Sequence, residues 1–394
     1  MESVIKFLKH KMASIGLIAI FSVITLMGFV NFGSSSNPIP KDMPVAIVML
    51  DKGVDLPDGK RINWGNMLKD NMISDQAGTS ESLMKWTSLS SKQEAMDGLN
   101  KEKYYAALII PDNLSEKIKS LQSTQPETAE VQIIINQGMN ATGANVVSQM
   151  LNKMSDGINA KLREQLLTRI KGTGDQLDTE QAAALAIPIQ FNMITVNEIP
   201  PHSASGNAPI SFTNVAWFGG MITSFFLFIA AQKTRTHRKS HHLAILITKK
   251  LFGILYAVIA SATVILWTKV VLGMTIPNPW EFSFYFGLVC YCFFLLQTVL
   301  LNWIGIMAMP IYLLVFFFGG PMLSLPPQML PVFVNHWIYS WIPLRFGSEI
   351  FRGILYFGPE NNIVSPLTTL GISTAIVVVL SLLSVTVKSH KLTK

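Results

Sequence analysis

Hydrophobic positions in this chain gather in two places: an uncharged apolar run covers residues 12–32, and the rest crowd into 210–388. The polar stretch 33–209 separates them. As a helix the first run reaches about 31 Å, enough to cross the hydrocarbon core of a bilayer. The second region divides into runs near 210–231, 251–273, 282–301, 303–323 and 366–387. Together these predict six transmembrane helices, with the weakest separation at the uncharged turn near Asn302. The segment 326–345 is apolar, rich in Pro and Trp, and too broken to span. It predicts a re-entrant or interfacial hairpin, because irregular backbone survives at membrane depth only where protein or water satisfies it.

The pattern within 33–209 differs. Short apolar, β-branched runs at 44–50, 83–89, 104–110, 130–136 and 187–196 predict strands. Helical patterns fall near 62–73, after Ser90-Ser-Lys-Gln-Glu94, after Pro111-Asp-Asn-Leu-Ser115 and over 142–171, and 172–185 reads as a polar hinge. Strands alternating with helices imply an α/β domain with a substantially parallel sheet. The stretches 33–40 and 200–209, rich in Pro, Ser and Gly, read as linkers to the membrane.

Charge orients this layout. The segments 1–11, 232–250 and 388–394 hold 12 Lys and Arg, with Glu2 as their single acid, whereas 33–209 holds 16 basic and 20 acidic residues. Lys and Arg resist translocation, so the three basic segments are expected in the cytoplasm and 33–209 outside it. Residues 1–11 and 389–394 become cytoplasmic ends, 12–32 the first transmembrane helix, 33–209 an extracytoplasmic domain, and 210–388 a membrane domain of five helices and the hairpin. An even number of crossings fits two basic ends. The same asymmetry accounts for the net charge of +7 without a nucleic-acid partner. Residues 1–32 have the basic start of a signal peptide, but the apolar run is long and no small-x-small site follows, so a retained anchor is expected.

Catalytic and cofactor motifs are missing. There is no Gly-x-x-x-x-Gly-Lys-Ser/Thr to cradle a nucleotide, Gly172-Thr-Gly-Asp175 fits a hinge, and no nucleophile or zinc motif occurs. The chain is read as a non-enzyme with no cofactor and no metal. His237, His241 and His242 lie in a basic loop without acid or Cys company, which favours solvation over metal binding. Cys290 and Cys292 share one apolar run, about 200° apart on a helix, and do not pair there. Lys269 is expected to snorkel to the interface, and Asn136-Gln-Gly-Met-Asn140 to cap a strand. Asn113-Leu-Ser115 and Asn140-Ala-Thr142 are sequons that matter only in a eukaryotic secretory pathway.

Three stretches carry a resemblance: Pro44-Val-Ala-Ile-Val-Met-Leu-Asp-Lys-Gly53, Tyr104-Tyr-Ala-Ala-Leu-Ile-Ile-Pro-Asp-Asn-Leu-Ser115 and Asn136-Gln-Gly-Met-Asn-Ala-Thr-Gly143. The hairpin ending Trp341-Ile-Pro-Leu-Arg-Phe-Gly347, with Glu349 and Arg352 beyond, adds a fourth. In this order, after one anchor and before further spans, they resemble the permease of the type 2 ABC exporter superfamily, in its phage infection protein (YhgE/Pip-like) branch. Long members of that branch carry a coiled-coil insert where this chain has one helix and a short hinge. The resemblance implies a homodimeric cell-membrane permease, of bacterial plasma-membrane type, that works with a separate ABC ATPase. Under it, Lys233, Arg235, Arg238, Lys239, Lys249 and Lys250 become an expected ATPase-coupling loop, whose plainer role is contact with membrane lipid. Pro343, Arg345, Glu349 and Arg352 become an expected outer gate; the plainer reading of Arg345, Glu349 and Arg352 is a surface ion-pair ladder worth a few tenths of a kcal/mol. The expected function is export of an amphiphilic or cell-envelope molecule. The alternative is a non-transporting envelope receptor or secretion-system scaffold whose outer domain binds a partner.

Overall fold

A computed structural model of the chain describes residues 40–391, except 57–58, 75–81, 124, 174–177, 234–238 and 359–361. The expected first membrane helix at 12–32, with its basic flank, lies outside the described residues. The chain divides into two compact units. One comprises Pro40–Pro200 with Tyr356–Asn362, and the other takes in Pro201–Leu355 and the residues from Ile363 onward.

The first unit is an α/β fold. Its strands are β1 (Met43–Met49), β2 (Val54–Asp55), β3 (Arg61–Ile62), β4 (Met84–Leu89), β5 (Ala106–Ile110), β6 (Ala129–Asn136) and β7 (Ile189–Val196). Its helices are α1 (Trp64–Ser74), α2 (Lys92–Asn100), α3 (Leu114–Ser120), α4 (Ala141–Thr173) and α5 (Thr179–Ala186). Five strands form one sheet in the order β4-β1-β5-β6-β7, and β2 and β3 make a separate small ribbon. Strand β1 sits between β4 and β5 and is parallel to both. Its run Val45-Ala-Ile-Val48 is fully buried, which explains why it reads as continuous β-branched sequence rather than as an alternation.

The sheet departs from the expected parallel arrangement at one pairing, β5 with β6, which is antiparallel. A parallel crossover needs a helix long enough to carry the chain back along the preceding strand. Helix α3 has seven residues, about 10 Å, against about 17 Å for β5. The chain therefore re-enters the sheet from the end at which it left. Helix α4 has 33 residues and α5 brings the chain back, so β7 returns parallel to β6. Part of the expected hinge at 172–185 is helix α5. Asp178 and Gln181 form a reciprocal capping box ahead of an Ala-rich turn, a start signal hidden by the polar composition. Helix α2 starts similarly, with Ser91 accepting from the Glu94 N–H at 3.2 Å. The Ser90 backbone N–H and then its hydroxyl hold the Glu94 carboxyl below its usual range.

Two buried polar knots fix the strand ends. Asp51, just beyond β1, accepts from Ser115 N at 2.9 Å, Ser115 Oγ at 2.5 Å and Gly65 N at 3.1 Å, tying α1 and α3 to the sheet. Asn136, at the end of β6, donates to the carbonyls of Leu99 (2.8 Å) and Tyr104 (3.1 Å) and accepts from Asn197 at 3.0 Å. Close approach at Gly138 completes the second knot: a Cβ there would lie 2.8 Å from the Asn197 carbonyl.

The second unit is helical: α6 (Ala208–Lys233), α7 (Lys239–Ile265), α8 (Pro279–Ile304), α9 (Met309–Ser324), α10 (Pro343–Arg352) and α11 (Val364–Lys391). Among the described residues, four stretches are long and apolar enough to cross a membrane: Ala208–Lys233, Ala244–Val271, Pro279–Ser324 and Val364–Leu383. The third, at 46 residues, holds both α8 and α9. Residues 297 and 312 would stand about 22 Å apart on a straight helix. Instead the Tyr312 hydroxyl donates to the Gln297 carbonyl, so the chain doubles back through the tight turn Gly305–Ala308, where Gly305 takes φ 68°. Helix α8 lies at the centre of the unit, packed by α6, α7, α10 and α11. Phe212, Phe282 and Phe351 form its aromatic core, with ring centroids 4.6 to 6.1 Å apart.

Candidate functional site

Three features of the helical unit bear on function: the basic end of α6 and α7, the polar contacts within the helix packing, and the broken segment ending in α10. Helix α7 begins at Lys239, twelve residues before the start expected at 251, because Leu243-Ala-Ile-Leu-Ile-Thr248 continues the apolar helical pattern through the two lysines. Lys233 is the exposed last residue of α6, Lys239 opens α7, and Arg235 and Arg238 lie outside the described residues. Lys250 is half-buried on the fourth turn of α7. Lys249 corrects the expected picture of a solvated loop. It is 6% exposed, its Nζ donates to Asn302 Oδ1 at 3.3 Å, and it lies 5.8 Å from the ring centre of Phe228.

Sequence reading did not single out the polar residues inside the packing. Trp217 on α6 donates through Nε1 to the Tyr312 carbonyl at 3.1 Å, and Tyr312 on α9 donates to the Gln297 carbonyl. Gln297 on α8 donates to the Trp217 carbonyl at 3.2 Å and closes the ring. Each side chain thus satisfies the backbone of the next helix, which fastens α6, α8 and α9 without an exposed polar group. The available signal was Gln297, an amide inside a run that is otherwise almost wholly apolar.

The segment 326–345 is broken, as expected. A 3-10 turn at Pro327–Met329 leads to a helical turn at Val332–Val334, a π turn at Asn335–Tyr339 and then α10. Val332, Phe333, Trp337 and Trp341 are exposed. Pro343 opens α10, where its fixed φ suits the first helical turn. The helix is amphipathic: Leu344, Ile350 and Phe351 are buried, while Arg345, Glu349 and Arg352 are not. Arg345 Nε donates to Glu349 Oε1 at 2.6 Å, with side-chain exposures of 30% and 18%, and the guanidinium lies 4.6 Å from the Tyr339 ring centre. Partial burial and the stacked ring make this pair more constrained than a surface ion pair. Arg352 shares the helix and is half-buried.

The α/β unit offers a cleft of about 300 Å3 beyond the carboxyl ends of β1 and β5. Leu50 and Ile109 are among its apolar residues, and Asp112, Lys117, Glu130 and Gln132 among its polar ones. Among the described residues no group of His, Cys, Asp and Glu is arranged to hold a metal ion.

Comparison with protein families decides the assignment. The model of the ABC-2 family transporter protein matches residues 13–385, which takes in both units. The chain belongs to the ABC-2 transporter family. No curated protein and no solved structure matches it. As an ABC-2 family member it is a multi-pass membrane protein, and its apolar helical stretches are membrane helices. The family points to the membrane permease of an ABC exporter, a type of subunit that normally works with a separate ATPase.

Proposed function

We propose that the chain is the permease subunit of an exporter for an amphiphilic or cell-envelope molecule, acting as a homodimer with a separate ATPase. The observation that carries this reading is the family match over 13–385, which covers the membrane helices and the α/β unit together. Within it the chain crosses the membrane six times: once at 12–32, once each by α6, α7 and α11, and twice by the doubled-back α8 and α9. The α/β unit lies outside the cytoplasm, and both chain ends lie inside. The finer kinship is with the phage infection protein branch. It rests on the resemblance carried by residues 44–53, 104–115 and 136–143.

The ATPase docks on the basic segment 233–250, through Lys233, Arg235, Arg238, Lys239 and Lys250. Anionic lipid shares that surface, each cation contributing on the order of 1 kcal/mol. The amphipathic helix α10, with Arg345, Glu349 and Arg352, lines the outer exit, where polar groups at the membrane edge meet an amphiphilic substrate. This chain hydrolyses no ATP and binds no cofactor of its own.

Neutralising Lys233, Arg235, Arg238 and Lys239 together to Gln is expected to abolish co-purification of the ATPase while membrane insertion persists. Arg345→Ala or Glu349→Gln is expected to alter export with the ATPase retained. The cleft beyond β1 and β5 favours a second reading, an envelope receptor or scaffold with a ligand at the strand ends. If crosslinking captures no ATPase with the unaltered protein and neither set of changes affects export, that second reading replaces the first.

A further inference from the structure

Lys249 lies about 15 Å along α7 from Lys239, far enough to be carried into the helix packing. Its Nζ meets Asn302 Oδ1 at 3.3 Å, and the other side of the same amide, Nδ2, donates to Ser381 Oγ at 3.2 Å. Asn302 closes α8 just before the Gly305–Ala308 turn, and Ser381 lies on α11. One lysine therefore fastens α7 to the last turn of α8 and, through the Asn302 amide, to α11. The lysine fixes the amide orientation, because a flip would present NH2 to the ammonium group, and the Ser381 hydroxyl then accepts from Nδ2.

A wholly apolar contact would hold this packing more cheaply. Stripping water from an ammonium group is costly, and replacing every member of a buried ionic cluster by apolar groups of similar volume is often neutral or stabilising. An ionisable group inside membrane helices therefore points to a role beyond adhesion. The contact with Asn302 is a hydrogen bond to a neutral amide, which exchanges readily for water once α7 shifts.

We propose that Lys249, Asn302 and Ser381 form a releasable latch that transmits movement of the basic end of α7 to the α8–α9 turn and α11. Lys249 is a positioning residue: it touches no substrate and acts through Asn302. The latch rests on the reading of residues 233–250 as the ATPase docking face. When the ATPase pulls on that face, α7 withdraws the ammonium group and frees the turn and α11 to rearrange together.

The test is amide hydrogen exchange of the full chain in lipid nanodiscs, alone and in the crosslinked ATPase complex, read at residues 302–309. Lys249→Met is expected to raise exchange there about tenfold, because it removes one partner only and leaves Asn302 Oδ1 inside the packing without its ammonium donor. Asn302→Asp places a carboxylate against the ammonium group and is expected to lower it. In the complex, nucleotide trapping should raise exchange at 302–309 in the unaltered protein and leave both variants unresponsive, with ATPase capture intact. A merely structural contact would not remove the nucleotide response. Unchanged exchange in both variants, with ATPase captured and the response intact, overturns the latch and leaves the docking reading standing. Variant effects without any nucleotide response in the unaltered complex overturn transmission. Failure to capture an ATPase at all overturns the docking reading and the latch's transmitting role with it, and capture is scored separately from exchange.

Discussion

Asp51→Ala is expected to destabilise the α/β unit by about 3–5 kcal/mol, the largest effect of any single side-chain truncation in that unit. The carboxylate is 8% exposed and accepts three hydrogen bonds, from Ser115 N, Ser115 Oγ and Gly65 N. A hydrogen bond to a charged group contributes about 1.5–3 kcal/mol, and its donors would be left buried and unpaired. The three bonds are coupled through one group, so the total falls short of their sum. The knot also sets the starts of α1 and α3, because Ser115 Oγ accepts from Trp64 N at 2.9 Å. Limited proteolysis of the purified full chain over a temperature series measures the loss. Lys52→Ala is the control: its ion pair with Asp112 is exposed at both ends (75% and 60%), so a change of no more than about 0.5 kcal/mol is expected.

Gly220→Val is expected to disrupt the helical unit to a comparable degree. A Cβ at Gly220 would lie 2.8 Å from the backbone nitrogen of Phe294 and 2.9 Å from Gln297 Oε1. Backbone does not yield as a flexible side chain does, so α6 and α8 must separate. Overpacking of this kind costs about 1–3 kcal/mol. Separation also breaks the ring of Trp217, Gln297 and Tyr312, whose alternatives inside a membrane are few. Gel-filtration thermostability in detergent reads the effect as a lowered midpoint and loss of the homogeneous peak. Gly371→Ala, where an added Cβ meets nothing within 4 Å, should behave as the unaltered protein.

Much of this architecture was legible in the sequence because it depends on local periodicity. Strands β1, β4, β5 and β6 fall within two residues of their expected positions, since continuous apolar runs bounded by turn residues have few other solutions. The breaks in 326–345 were legible for a related reason, the density of proline. What escaped was set by pairing between distant segments. The antiparallel entry of β6 depends on the length of α3, and α5 hid within a polar stretch. Lys249 is the clearest case in the site. Composition assigned it to a basic loop, but helical phase turns it towards Asn302, a partner 53 residues away that no local pattern predicts. The Asp51–Ser115 knot, across 64 residues, was likewise visible only as two separate motifs.

In the proposed topology the α/β unit and the basic segment 233–250 lie on opposite sides of the membrane. Labelling intact cells with a thiol reagent that does not cross membranes tests it, after Cys290 and Cys292 are replaced by Ala. Ser123→Cys is expected to be modified, and Ser240→Cys only after the membrane is permeabilised. Modification of both positions in intact cells, or of Ser240→Cys alone, would contradict the arrangement.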